Sequence, residues 1–410
     1  MKNSLLLLLS AFCFLPVSIA GGFQVYLQGN RQIAMGLCGV GLVQDAAGLS
    51  INPASLSFLK QNSVYLGANV IFANTAYRQQ YPGQYTTNSI ASRGTPFNIY
   101  ANVGLLADKK MQIGIGVYTP YGSSIAWPEG WIGRFTMIET KLQTVYYQPT
   151  IAYRLSDKLG IGAGLIYARG SMLLRKALPL DGQDGSEGSL SMQGRGNGVG
   201  FNISAFYKAG KQIDFGFDYR SSVKLSLLNG QADFSVPLSL SASFPDTTFS
   251  TSITLPAMIS FGLGYHPSKE ITLAFDVNYN LWSSYDTLSF DFAVNNSSLK
   301  DIHSPRLYRN AVAFRLGAEY LLKNKWAFRG GAFYDMTPVP NGYLTPETPD
   351  SDKIGISFGF GVKPVERLSI DASFLYAEGA LRSDTNLESG FSGSYKTKIL
   401  IPGLSLQFSF

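Results

Sequence analysis

Segment after segment of this chain alternates apolar with small or polar residues, the period of a β-strand with one greasy and one wet face. Ile113, Ile115 and Val117 share a face, as do Ile213, Phe215, Phe217 and Tyr219, then Leu273, Phe275, Val277 and Tyr279, then Ile354, Ile356, Phe358 and Phe360. The positions between them are mostly Gly, Ser, Asn and Asp. The pattern runs to the last residues, where Leu404, Leu406, Phe408 and Phe410 alternate with Ser405, Gln407 and Ser409. About 9–11 residues of such strand cross a bilayer, with side chains pointing alternately to lipid and lumen. An aromatic carboxyl terminus is how bacterial outer-membrane barrels commonly finish.

The connections sharpen this reading. Short polar turns fall at 108–110, 157–158, 210–211, 266–269, 323–325 and 364–366. Long polar stretches fall at 74–96, 120–139, 171–198, 224–252, 283–305, 337–352 and 379–393. Long and short connections take turns throughout, which predicts fourteen antiparallel strands, tight periplasmic turns and long external loops. A soluble β-sandwich gives no reason for that alternation. Only 15% of residues are charged and 13% are aromatic, against roughly 25% charged in soluble domains. The fold class expected is an all-β, fourteen-stranded transmembrane β-barrel in the bacterial outer membrane, surrounded by outer-membrane lipid.

Residues 1–20 read as a signal peptide: Lys2 begins it, Leu5 to Leu15 form its apolar middle, and Ser18, Ile19 and Ala20 its cleavage site. Cleavage there leaves Cys38 as the sole cysteine, so no intrachain disulfide is expected. Residues 21–62 are rich in Gly, Ala and small polar groups and too irregular for wall. A barrel of fourteen strands needs its lumen filled unless it is an open pore, so this segment is expected to be a plug, with residues 63–410 forming the barrel. One hairpin fixes a register. A turn centred on Asn324 sets Tyr320 against Phe328 and Leu322 against Trp326 on the lipid face. Glu319 then faces Arg329 in the lumen, as a brace or as a ligand-binding pair.

With these features in place, the chain resembles the FadL-type family of outer-membrane transporters of long-chain fatty acids and hydrocarbons. The resemblance rests on GGFQVYLQGNRQIAMG, on DAAGLSINPASL with its Asn52, Pro53 and Ala54, and on LPAMISFGLGY and NYNLWSSYDTL. It rests most on YRNAVAFRLGAEYLLKNKWAFRGGAFYDMTPVPNGYLTPETPDSDK. It implies a hatch inside the barrel, capture of substrate in an external groove, transfer to a lumen pocket, and lateral release at a kinked third strand. It also implies a monomer and assembly by the barrel assembly machinery, engaged through Phe410.

Onto that scheme the residues map as follows. Gly114, Gly116 and Pro120 could kink the third strand, or Pro120 could merely begin the loop. Trp127, Trp131 and Phe135 around Arg134 could form a capture surface for a carboxylate-headed chain, or the tryptophans could anchor the loop at the lipid interface. Phe23, near the expected mature amino terminus, is the candidate latch that ligand displaces. The expected cargo is a long-chain fatty acid or another hydrophobic small molecule, moved passively. The alternatives are neutral aromatic hydrocarbons, or a general porin or structural barrel. His266 sits beside Pro267 and His303 in a loop before Pro305, both away from any nucleophile constellation, so no enzyme activity is expected. No metal cluster, phosphate-cradling loop or Cys-pair spacing calls for a cofactor. No basic run suits nucleic acid.

Overall fold

The computed structural model describes residues 22–90, 92–105, 109–181 and 187–410; residues 1–20, expected to be a signal peptide, lie outside them. One antiparallel sheet of 23 segments closes into a barrel of fourteen wall strands. Closure is made where Ser63–Asn69 pairs with Ser392–Ser409, in a register running from Ser63 opposite Ser409 to Asn69 opposite Gly403. Closing the sheet on itself leaves no open edge, the condition for strands to stand in hydrocarbon.

The period-2 pattern decides which face is which. Along Ser63–Asn69, buried and exposed positions alternate without interruption. Val64, Leu66, Ile354, Ile356 and Phe358 stand outward. Inward positions carry polar residues such as Asn98, Asn102, Gln148, Asn202 and Asn278, all buried. The hairpin of Ala311–Leu322 and Trp326–Asp335 pairs Tyr320 with Phe328, Leu322 with Trp326, and Glu319 with Arg329. Lys323 and Asn324 both have positive φ, 51° and 54°, the backbone of the type I′ turn whose twist matches two antiparallel strands.

Several long connections are shorter than their polarity suggests. Residues 171–198, expected as loop, are mostly wall: Leu159–Asp181 and Glu187–Lys208 run as one extended hairpin. Met172 and Leu174 on one strand, with Leu190 and Met192 on the other, continue the inward apolar face under polar outward neighbours.

The amino-terminal segment fills the lumen. It contains helical turns at Asn30–Ala34 and Gly48–Ile51 and a 3₁₀ helix at Pro53–Phe58. Most of it is fully buried. Its backbone donors are met by wall side chains: Asp276 accepts from the amides of Gly39 (2.7 Å) and Val40 (2.9 Å), and Ser357 Oγ from Gly36 (2.9 Å). The contact is backbone to backbone at Gly262, where an added methyl would collide with Gly41 and Val40. Asn52 binds the plug together: its side chain accepts from Ala54 N (3.1 Å) and donates to Val40 O (2.8 Å) and to Ala205 O of the wall (3.2 Å). Pro53 supplies the fixed φ of a first helical residue.

Glu319 and Arg329 lie 2.6 Å apart inside the barrel. Arg31 of the plug reaches Glu319 at 2.7 Å, and Arg329 reaches Asp371 at 2.6 Å. Four alternating charges thus tie the plug to three wall strands. Removing one partner from such a buried set strands the others, at a cost of about 3–5 kcal/mol. Arg329→Met, which abandons two carboxylates, is expected to lower the unfolding midpoint in detergent more than Arg31→Ala, whose loss leaves Glu319 still paired. Equal midpoints for both variants and the parent would show that the network does not brace the barrel.

Candidate functional site

The wall fails to pair with itself at one place on its third strand. Met111–Tyr118 is bonded on both sides, to Phe97–Leu105 and to Glu139–Arg154. Gly122–Ala126 is bonded to the fourth strand, Gly122 opposite Gln143 through Ala126 opposite Glu139. Toward the second strand, among the described residues, it has only the isolated bridge of Ile90 with Ala126. The ladder breaks at residues 119–121, where Pro120 has no N–H to donate and Pro120 and Tyr121 are buried in succession, against the alternation.

Gly114 and Gly116 do not contribute to this break. They sit in regular register opposite Asn102 and Tyr100, and a methyl on either would press on Leu49 of the plug. Their smallness makes room for the plug, and that corrects their assignment to the kink.

The plug's own backbone occupies the break. Val25 N donates to Pro120 O (2.8 Å), Gly122 N donates to Phe23 O (3.0 Å), and Gln24 bridges to Tyr121. The amino-terminal residues therefore act as a short substitute strand. Phe23 is buried, with its ring edge-on to Trp282 (4.7 Å), Tyr285 (5.4 Å) and Tyr121 (6.3 Å). Gly22 N donates to Asp350 Oδ2 (2.9 Å), and Asp350 also accepts from Lys353 Nζ (2.8 Å) and Thr337 Oγ1 (3.0 Å). Gly22 itself has φ +61°, and a side chain there would strike Trp282. The segment is thus fastened to the third wall strand on one side and to the loop at 336–352 on the other.

Beside this fastening lies a cavity of about 330 Å³. Phe23, Val25 and Leu27 of the plug line it with Ile71, Phe333 and Ile401 of the wall. Its lining continues onto both margins of the break, Gly94 and Pro96 on the second strand and Gly122 and Ile125 on the third. Of the four cations in its lining, Arg315 and Lys353 are matched by acids, and Arg93 and Lys141 stand at its outer margin. Arg315 meets Asp335 (3.3 Å) and Asn278 (2.5 Å) and lies over Tyr26, 4.3 Å from the ring centre. Lys353 meets Asp350.

Trp127 and Trp131 lie elsewhere. Both are wholly buried, stacked on each other at 4.6 Å and hemmed in by Tyr77, Phe391 and Tyr395. Their indole N–H groups donate to Pro346 O (3.1 Å) and Met137 O (2.8 Å). They form a closed core beneath the loops, neither a capture surface nor a lipid anchor, because a pair of indoles gains more by stacking out of water. Arg134 is likewise engaged: it holds Glu187 through two hydrogen bonds of 2.6 and 2.7 Å and keeps that carboxyl below its usual pKa range. Its guanidinium rests on Phe135, which stays partly outward.

The fold is shared with solved transporters. A Pseudomonas aeruginosa FadL homologue matches with a TM-score of 0.84 at 20% identity, covering 95% of this chain and 100% of its own. The toluene transporter TodX of Pseudomonas putida matches at 0.72 and 17%, covering 95% and 99%. In sequence the chain is 24% identical to the long-chain fatty acid transport protein of Escherichia coli O6:H1, over 95% of both chains. It is 23% identical to the 47 kDa outer membrane protein of Pasteurella multocida, over 95% of this chain and 94% of that one. Residues 13–410 match the family described as outer membrane protein transport protein (OMPP1/FadL/TodX). The chain belongs to that family: it is an outer-membrane β-barrel of a non-catalytic transport class.

Proposed function

We propose that the protein moves hydrophobic molecules passively into the outer membrane, holding them in the lumen cavity and releasing them sideways between its second and third wall strands. The observation that carries this reading is the continuity of the cavity lining with both margins of the broken ladder. An apolar solute gains about 0.8 kcal/mol for each CH₂ kept from water, so a sheltered path that opens into lipid suits it better than a water-filled pore. Capture at the outside falls to exposed apolar loop residues, among them Phe135 and Leu238. The cargo favoured is neutral, because the two cations at the lumen end of the cavity, Arg315 and Lys353, are answered by Asp335 and Asp350, while Arg93 and Lys141 stand at its outer margin. Toluene transport, named for TodX, is chemistry of that kind.

A second reading, long-chain fatty acid, is favoured by one atom and by the relatives' names. Arg315 Nη1 is buried without a hydrogen-bond partner among the described residues, and Arg315 lines the cavity. A carboxylate placed there would meet a charge-assisted donor.

Three variants test these statements. Deleting residues 21–23 removes Phe23 and its bond to Gly122 N, and is expected to change uptake kinetics while barrel assembly is retained; unchanged kinetics would remove the latch. Gly122→Phe fills the margin of the gap, and is expected to abolish uptake by whole cells while the purified protein still binds ligand. Uptake at the parent rate would argue against lateral release. Arg315→Gln is expected to leave toluene binding unaltered. A loss of oleate affinity of about tenfold or more, the worth of one charge-assisted hydrogen bond, would instead select the fatty acid reading.

A further inference from the structure

Near its outer rim, and among the described residues, the wall carries all but one of its exposed cations on one side. Arg78 lies on the first strand, Arg93 on the second, Lys141 on the fourth and Arg169 on the fifth; Arg195, Lys224, Lys396 and Lys398 follow on the sixth, seventh and fourteenth. All eight are exposed, and the register shows that each shares the outward face: Arg93 is opposite outward Phe72, Lys141 opposite Ser124, and Lys398 opposite outward Asn74. Each stands about 11–16 residues up from the foot of its own strand, just past the roughly 9–11 residues that cross hydrocarbon. They therefore form an arc in one band at the external headgroup boundary, spanning the fourteenth strand and the first seven with the third contributing none; Arg78 stands highest, six residues above the Phe72 that pairs with Arg93.

At that level the eighth strand presents Ser252 and Thr254, the ninth Ser283, Ser284 and Asp286, and the thirteenth Ala380 and Leu381. Arg309 is the one exposed cation there on strands eight to thirteen, among the described residues. Of the arc, Lys396 is bonded to Glu378 at 2.6 Å. Lys398 stands directly across from the same Glu378, and the other six make no ion pair with an acid among the described residues. Cations on the lipid face cost little near the interface and about 2–4 kcal/mol at midplane, so the level is tolerated. What tolerance does not explain is the one-sidedness. A row of mostly unanswered cations at headgroup height is complementary to anionic lipid phosphates, each cation gaining about 1 kcal/mol near such a surface.

We infer that this arc is a binding surface for the phosphorylated headgroups of outer-leaflet lipid. It seats that lipid against the half of the barrel that contains the broken ladder. The test is titration of the full mature protein, in neutral detergent, with diphosphorylated lipid A, its dephosphorylated form, and inorganic phosphate. The phosphorylated lipid is expected to bind, the dephosphorylated form to bind at least about tenfold more weakly, and K141Q/R169Q/R195Q/K224Q to lose about a hundredfold in affinity. Retained heat-modifiable mobility on gels certifies that variant as folded; should it not fold, K224Q and R169Q singly are each expected to lose about fivefold. R309Q, on the opposite wall, is expected to change nothing. Equal affinity of parent and arc variants, equal binding of the dephosphorylated lipid, an equal loss in R309Q, or competition by inorganic phosphate as effective as by lipid would each overturn the inference.

Discussion

Everything inside this barrel follows from the need to satisfy a plug's backbone without water. A cylinder of fourteen strands is too wide for its own side chains to fill, and an irregular peptide placed within it carries amides that regular structure does not meet. Each unmet group in a dry interior costs more than a hydrogen bond is worth. The wall therefore turns acceptors inward: Asp276 to Gly39 and Val40, Ser357 to Gly36, Ser204 to Ala54. Where plug and wall meet backbone to backbone, as at Gly262, the wall has shed its side chain. The inward face is polar because it is the plug's solvent.

The same accounting explains why the third strand can be broken and still stand in a membrane. Residues 119–121 lose their second-strand partners, yet Pro120 O and Gly122 N are met by Val25 and Phe23. The first residues of the plug are thus wall and stopper at once. Moving Phe23 aside would leave Val25 N and Gly122 N without partners, so displacement is unfavourable until something fills the apolar space among Trp282, Tyr285 and Tyr121. An apolar guest supplies the burial but not the hydrogen bonds. This couples occupancy of the cavity to the integrity of the wall beside it, with no external source of energy.

Legibility in the sequence tracked how local each constraint is. Strand period, alternation of turns and loops, and the register from Ala311 to Asp335 depend on neighbours along the chain or directly across a hairpin, and they could be read. The strands through residues 171–198 were hidden because Gly and Ser there carry no β signal of their own; pairing with a neighbour makes them wall. Trp127 and Trp131 look like surface anchors until Tyr77, Phe391 and Tyr395 arrive from distant loops to enclose them. Arg134 looks like a free cation until Glu187 comes opposite. Arg315, Asp350 and Trp282 stood inside the blocks that carried the family resemblance, but nothing in their spacing distinguished them from wall, since their roles are set by a plug some 230 residues or more away in the chain.

Charge placement completes the physical picture. Inside, Arg31, Glu319, Arg329 and Asp371 alternate in sign, and Arg315 and Lys353 each face an acid. Pairing of this kind adds little stability over apolar packing but makes any wrong docking of the plug costly, because a shifted register would bury a charge alone. Outside, most of the cations near the outer rim lack such partners and, Arg309 apart, stand on one part of the circumference. A barrel free to rotate about its axis in a uniform fluid would have no use for that asymmetry. Combined with a wall broken at one azimuth, it gives the molecule a defined front, the side on which lumen, gap and charged lipid boundary meet.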